Sequence, residues 1–411
     1  MKHLPAGAGH IAMVSEHASP LAALGRPDAG GQNVYVAELA ARLAGRGHRV
    51  TVYTRRDSPD LPERVHTPEG VCVVHVPAGP PGPVPKDELL PYVPGFAAHL
   101  REAWAEDPPD VVHAHFWMSG MAALAAAPRL GVPVVQTFHA LGTVKRRYQG
   151  PADTSPPQRE RIERTIGRSV SAVLATCADE VRELTAMGVS PRRVRVVPCG
   201  VDTDHFAAVP GATRPSPARR CLLAVGRLVP RKGFDRVIRA LAEVPDAELL
   251  VAGGPEQALL FADPEAERLR KIAEEHGVAD RVTLLGAVPR QDMPRLMSAA
   301  DLLLSTPRYE PFGIVPIEAM ACGTPVVATA VGGHLDTVVP GVTGALVPVT
   351  DGPELAAAVR RLLDRPGQLA RLGAQGRRHV LARYTWDRVT DGVTQVYDEF
   401  VPAPSLSGGT R

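Results

Sequence analysis

Residues 221–242 read CLLAVGRLVPRKGFDRVIRALA. Cys221–Val225 is an apolar run of strand length. A glycine-bearing turn follows. Lys232–Ala242 then sets Phe234, Val237, Ile238 and Leu241 at i, i+3, i+4 and i+7, one face of a helix. A strand closed by a turn and an amphipathic helix is half of a βαβ unit. The pattern recurs in both directions. Downstream, Glu248–Ala252, Val282–Leu285, Asp301–Ser305, Pro325–Ala328 and Ala345–Val347 read as strands. Upstream, Ile11–Val14 precedes a Gly-rich loop and a helix over Asn33–Arg46, with Val36, Leu39, Ala40 and Leu43 on one face. Arg49–Thr54, Val71–Val76, Asp110–His115, Val132–Thr137, Ala172–Thr176 and Val194–Val197 continue the upstream series. Strands alternating with helices predict parallel sheets covered on both faces.

The chain has 411 residues, a length that predicts two or three domains. The stretch VPGATRPSPA at 209–218 has no periodicity and separates two similar α/β halves. The expected fold is therefore α/β, with two Rossmann-like, doubly wound domains facing a cleft. Residues 1–208 form the first domain, 209–218 a linker and 219–385 the second domain. Residues 386–401 are a terminal helix that can cross back to the first domain, and 402–411 a tail. Such sheets bind ligands beyond the carboxyl ends of their strands.

Charge narrows the function classes. Lys and Arg number 46 against 44 Asp and Glu, so nucleic acid is not expected as a partner. Met1–Ser15 has neither a basic flank nor a continuous apolar stretch, and no run is long and apolar enough to span a bilayer. Five scattered cysteines without a C-x-x-C pair read as buried free thiols. These features predict a cytoplasmic protein with no integral membrane segment; a homodimer stays open.

Three constellations carry chemistry. The first runs from Gly25 to Asn33, between strand and helix. Its paired Gly30 and Gly31 let backbone N–H groups approach an anion, although a plain turn explains them equally. The second is residues 225–234. Arg227 and Lys232 straddle the turn, a guanidinium fork and an ammonium point charge suited to a diphosphate. A solvated helix start is the plainer alternative. The third is residues 310–327, EPFGIVPIEAMACGTPVV. Glu310 closes a loop, Gly313 begins a helix, and Glu318 lies inside it among Ile314, Ile317, Ala319 and Ala321. A carboxylate on so apolar a helix needs a partner or ligand. Carboxylates accept paired hydrogen bonds from vicinal hydroxyls, as on a sugar or ribose.

Taken with Asp28–Val36, His113–Gly120, Thr137–His139 and Pro198–Asp202, these stretches resemble the retaining family-4 glycosyltransferases of the GT-B fold over nearly the whole chain. The N-terminal pieces look closest to the D-inositol-3-phosphate glycosyltransferases of the mycothiol pathway, with sucrose-phosphate synthase-like enzymes next. The resemblance implies transfer of a sugar, with retention, from a nucleoside-diphosphate sugar, UDP first, to a small polyol, sugar or sugar-phosphate acceptor. Arg227 and Lys232 would take the diphosphate, Glu310 the transferred sugar and Glu318 the ribose. The helix start at Phe312, Gly313 and Ile314 would assist, and Gly30 and Gly31 would approach the leaving group. His139 would sit at the reacting sugar. Catalysis would thus rest on His139, Arg227, Lys232 and Glu310. The acceptor would meet Gln32, Asn33, Lys86, Phe116, Ala140 and Arg159. In the inositol-phosphate enzymes a Tyr and a Thr stand where this chain has Phe116 and Ala140. Lys145, Arg146 and Arg147 offer a substitute anion site or a solvated basic turn.

No cofactor or metal is expected. Asp202-Thr203-Asp204 reads as a turn rather than a metal motif. His113, His115 and His139 lack a further ligand at usable zinc spacing. The rival readings are a nucleotide-sugar epimerase or phosphorylase on the same architecture, a non-catalytic sugar-nucleotide sensor and, more distantly, a zinc hydrolase.

Overall fold

The computed structural model describes residues 9–22, 30–128, 130–350 and 352–401. Gly25–Ala29 of the first constellation, Met1–Ala8 and the whole of the expected tail lie outside them. The chain divides into two compact units. One comprises Met1–Thr176, Glu180–Pro198 and Trp386–Arg411, the other Cys177–Asp179 and Cys199–Thr385.

The first unit is built on eight strands among the described residues: β1 His10–Val14, β2 Arg49–Arg55, β3 Arg64–His66, β4 Cys72–Val76, β5 Val111–His115, β6 Val134–Thr137, β7 Ala172–Ala175 and β8 Val194–Val196. Their spatial order is β3-β4-β2-β1-β5-β6-β7-β8. Every pairing is parallel except β3 with β4. β1 and β5 are buried at every residue, as expected for strands covered on both faces. One face packs Phe96, Leu100, Trp104, Trp117 and Ile166 into a continuous core.

The second unit holds β9 Arg220–Val225, β10 Ala247–Ala252, β11 Val282–Gly286, β12 Leu302–Ser305, β13 Val326–Thr329 and β14 Gly344–Val347. All its pairings are parallel. The order β11-β10-β9-β12-β13-β14 reverses direction between β9 and β12, the switch point where doubly wound sheets bind ligands. In the first unit the reversal falls between β1 and β5.

Two expectations differ from the structure. The division between units falls at residue 198/199, ahead of the Pro/Gly/Ser-rich stretch. Val201 N–H donates to the Tyr384 carbonyl and Val209 N–H to Ser298 Oγ, so residues 199–208 belong with the second unit. Cys177–Asp179 also groups there, where Ala178 N–H donates to Asp336. The helix expected from Lys232 begins at Phe234; Pro230–Lys232 is a separate 3-10 turn and Gly233 takes φ 72° between them. The Trp386–Asp398 helix belongs to the first unit, where it packs on the Gly31–Gly45 helix. No helix of the described residues is long and apolar enough to cross a membrane.

Candidate active site

In the second unit the loops after β9 and β12 are tied together. Thr306 Oγ1 donates to the Gly233 carbonyl at 2.8 Å, and Arg236 donates to the Thr306 carbonyl at 3.0 Å. A Cβ on Gly233 would lie 2.1 Å from that Thr306 carbonyl, so only glycine permits this approach. The pairing brings Lys232 Nζ to 2.5 Å from Glu310 Oε2. Both side chains are largely buried. Burial pulls the Lys232 ammonium below its ordinary range, with Glu310 opposing. Burial pushes Glu310 up, but Lys232, Arg231 and His334 outweigh it and hold the carboxyl below the usual range. Glu310 is therefore a carboxylate at neutral pH. Arg227 lies exposed at the end of β9.

Glu310 continues into Pro311-Phe312-Gly313. Gly313 caps the Ile314–Ala321 helix with φ 95°, and a Cβ there would lie 2.7 Å from the His334 ring. Gly332 and Gly333, after β13, press on this turn; Gly333 N–H donates to the Glu310 carbonyl at 3.0 Å. The His334 ring is fixed by the Thr329 carbonyl on Nδ1 and the Ser305 hydroxyl on Nε2. The paired glycines after a strand were the signal for this cradle, which the sequence reading did not use. Glu318 sits on the Ile314–Ala321 helix. Burial pushes its carboxyl up to about 7, with Arg290 opposing. This half-buried carboxylate has no hydrogen-bond partner for its side chain among the described residues, the state of a group awaiting a ligand.

In the first unit His139 follows β6 with φ 60°. Its Nε2 lies 3.1 Å from His115 Nδ1, and its ring meets the Tyr35 ring at 5.2 Å. Burial lowers the imidazole to about 3, with His17 adding to the effect. His139 is thus a neutral ring at working pH. His113 bridges Tyr397 OH at 2.7 Å and Thr137 Oγ1 at 2.8 Å. The three histidines form a hydrogen-bonded and stacked array. Among the described residues no three His, Cys, Asp or Glu side chains are grouped to hold a metal ion.

The acceptor candidates converge in part. Lys86 Nζ lies 5.6 Å and the Arg159 guanidinium 4.9 Å from the Phe116 ring centre. Arg159 donates to the Ala140 carbonyl at 2.7 Å. It is also 2 % exposed and paired with the wholly buried Glu163 at 2.7 Å, so its charge is already matched. Asn33 and Gln32 do not present their amides as expected. Asn33 accepts from Gly30 N–H and donates to the Ser19 carbonyl, while Gln32 donates to Ser15 Oγ and the His115 carbonyl. Both pin the β1 loop onto the helix start. Lys145, Arg146 and Arg147 form no open anion site: Lys145 pairs with Asp87 and Asp153, Arg146 with Asp153 and Glu160, Arg147 with Glu183. Asp202 closes a turn, accepting from Asp204 and His205 N–H at 3.1 Å each.

Comparison with known proteins decides the family. The sequence model "Glycosyltransferase Family 4" matches residues 29–205, and "Glycosyl transferases group 1" matches residues 212–379. A D-inositol 3-phosphate glycosyltransferase of Acidothermus cellulolyticus is 39% identical over 94% of this chain and 89% of its own length. The chain belongs to the family-4 glycosyltransferases. A second D-inositol 3-phosphate glycosyltransferase, from Mycobacterium marinum, is 37% identical over 94% of this chain and 85% of its own. Among solved structures, sucrose-phosphate synthase of Thermosynechococcus elongatus superposes with a TM-score of 0.86 at 33% identity, covering 95% of this chain and 98% of that one. The GT-B architecture of two parallel-sheet units is thereby established, and the protein is a transferase.

In this glycosyltransferase two side chains that the sequence reading passed over stand beside the expected acceptor group. Glu16 and His17 follow β1. His17 Nδ1 lies 2.7 Å from Glu16 Oε1, and the ring meets the Phe116 ring at 4.8 Å. The signal was a carboxylate next to a histidine at the carboxyl end of the first strand.

Proposed function

We propose that this glycosyltransferase moves a sugar from a nucleoside-diphosphate sugar, UDP first, to a hydroxyl of a small polar acceptor, with retention. The acceptor is a polyol, sugar or sugar phosphate other than D-inositol 3-phosphate. The observation that carries the donor assignment is the Lys232–Glu310 pair, held across the loops after β9 and β12 at the sheet's reversal, with Glu318 on the helix that follows the β12 loop.

Cleaving the anomeric C–O bond leaves an oxocarbenium-like sugar and a diphosphate gathering charge. Arg227 and Lys232 stabilise that charge where it develops. A diphosphate draws Lys232 from Glu310, and Glu310 is then released to accept sugar hydroxyls. The amides of Phe312 and Gly313, with Ile314 at the first helical turn, assist from the helix start. Glu318 accepts the ribose hydroxyls. Gly30 and Gly31 serve the leaving group from the first unit. His139, neutral, offers the reacting sugar a hydrogen bond. The departing phosphate takes the acceptor proton in a front-face route.

The acceptor assignment is negative and follows from three side chains. Phe116 and Ala140 lack the hydroxyls that a phosphate-binding Tyr and Thr supply. Arg159 is neutralised by Glu163. Lys86, the fourth group, acts electrostatically on the Asp87 carboxylate.

A donor panel tests this reading. Purified protein is given UDP-, GDP- and ADP-sugars, and release of the nucleoside diphosphate is followed. UDP-sugars are expected to support release. Lys232→Ala is expected to lower kcat/KM for the donor by about ten- to a hundredfold, the loss of one charge-assisted hydrogen bond of ~1.5–3 kcal/mol. Release from no sugar nucleotide, or a fully active Lys232→Ala, overturns the donor site.

A further inference from the structure

We infer that His115 is a positioning residue for the transfer: it donates from Nδ1 to His139 Nε2, and so leaves the His139 proton on Nδ1, the nitrogen that meets the transferred sugar. The inference rests on the reading of His139 as the side chain at the reacting sugar. It adds the partner and the atom through which that side chain acts.

The argument begins at the backbone. Ala140 N–H donates to the Phe138 carbonyl at 2.7 Å, closing a three-residue turn about His139 with φ 60°. A turn of this hand is strained for a residue with a side chain, and such strain collects where a side chain must be held for function. What this turn holds is the ring. His139 Nε2 lies 3.1 Å from His115 Nδ1, the ring planes are inclined by 28° and the ring centres are 5.3 Å apart. The rings thus meet edge to edge, as an N–H···N hydrogen bond requires. Tyr35 packs against both rings.

Which nitrogen donates follows from what surrounds His115. The residue is 0 % exposed. Burial keeps both rings neutral, so each carries a single N–H. His115 Nε2 is enclosed without a hydrogen-bond partner among the described residues. The His113 ring, 4.1 Å away centre to centre, cannot serve it, because its own nitrogens are engaged by Tyr397 OH and Thr137 Oγ1. A proton on His115 Nε2 would be a buried donor with nothing to receive it, a defect that folded proteins rarely keep; an unmet acceptor lone pair is tolerated more often. The proton therefore sits on Nδ1 and points to His139. His139 Nε2 accepts, and the one proton of that ring is on Nδ1, which has no hydrogen-bond partner among the described residues. A ring fixed in this way always presents a donor to a sugar oxygen. A ring free to change tautomer would present one for only part of the time.

Two measurements on the full chain test this. Ring nitrogen NMR of histidine-labelled protein, assigned with His115→Asn and His139→Ala, is expected to show His115 and His139 both protonated at Nδ1. A proton on His139 Nε2 in the wild-type protein overturns the inference. His115→Asn keeps a nitrogen donor near the place of Nδ1 and is expected to preserve the His139 tautomer. His115→Phe keeps a ring without a donor and is expected to leave a mixture. The second measurement is nucleoside diphosphate release from the sugar nucleotide that the donor panel finds most active. His115→Phe is expected to lower kcat by roughly tenfold with KM for the donor little changed, and His115→Asn to recover part of the loss. In a His139→Ala background His115→Phe is expected to cost nothing further, because it acts through that ring. A further tenfold loss there, or wild-type kcat in His115→Phe, overturns the positioning role and leaves the glycosyl-transfer reading intact. No release by the wild-type enzyme from UDP-, GDP- or ADP-sugars overturns that reading, and this inference with it.

Discussion

Glu318 shows how far a single side chain can be read before its surroundings are known. Its place on an apolar helix predicts a carboxylate in need of a partner, and the structure leaves that partner absent. Burial sets its pKa near 7, above the ordinary 4.5, so folding favours the protonated acid. That stabilisation is complete below about pH 4.5 and is lost as pH rises through about 7. Glu318→Gln cannot ionise. It is therefore expected to melt near the wild-type temperature at about pH 4.5 and above it at pH 8, in ligand-free protein; calorimetry at the two values checks this. An equal difference at both would contradict the assigned environment. Other side chains gave no such warning. Lys145 reads as a surface cation, but its partner Asp87 lies 58 residues away in sequence, and no local pattern announces a long-range pair. Arg159 is another case: its burial against Glu163 and Phe116 follows from tertiary packing and cancels the charge on which an anion site would depend.

Helices and strands with apolar faces were legible from their spacing, because a covered parallel sheet demands continuous apolar strands. β3 was not. Arg64-Val65-His66 is three residues long, polar and at the sheet edge, where nothing forces an apolar pattern. The turn before the Phe234–Leu241 helix was also misjudged. Lys232 and Ala242 have helical propensity, but Gly233 takes φ 72° so that its backbone can reach Thr306. Gly233→Ala places a side chain in a left-handed conformation and against that carbonyl. It is expected to lower stability by roughly 1–3 kcal/mol or more and to weaken donor use as the β9 and β12 loops part. Urea denaturation, with UDP binding followed on the same samples, tests both. An unchanged midpoint would show that the contact is dispensable.

The path of the chain through its two units was only partly written in composition. The Pro/Gly/Ser-rich stretch at 209–218 reads as a boundary because turns and breaks cluster there. The actual division depends on contacts such as Val201 with Tyr384, which composition does not encode. The terminal helix is likewise placed by packing. Trp386, Val389, Val393 and Tyr397 are buried, Trp386 meets Tyr35 at 5.5 Å, and Arg46 pairs with Asp391 at 2.8 Å. At about 1.5–3 kcal/mol per buried large side chain, the helix supplies a large part of the first unit's marginal stability. A chain ending at Thr385 is therefore expected to lose cooperative unfolding of that unit, seen as a missing transition by calorimetry. A full transition would mean that the helix is an accessory.

The account turns on which hydroxyl receives the sugar. Two hydroxyl donors are missing at Phe116 and Ala140. At ~1.5–3 kcal/mol for each hydrogen bond to a charged group, their loss lowers affinity for a phosphate by roughly two to four orders of magnitude if the two terms add. The decisive measurement is transfer from UDP-N-acetylglucosamine to D-inositol 3-phosphate at micromolar acceptor, by the wild-type enzyme and by the Phe116→Tyr, Ala140→Thr double variant. The account predicts poor transfer by the wild type and a marked gain in the double variant. Efficient wild-type turnover, unimproved by the two hydroxyls, would contradict it.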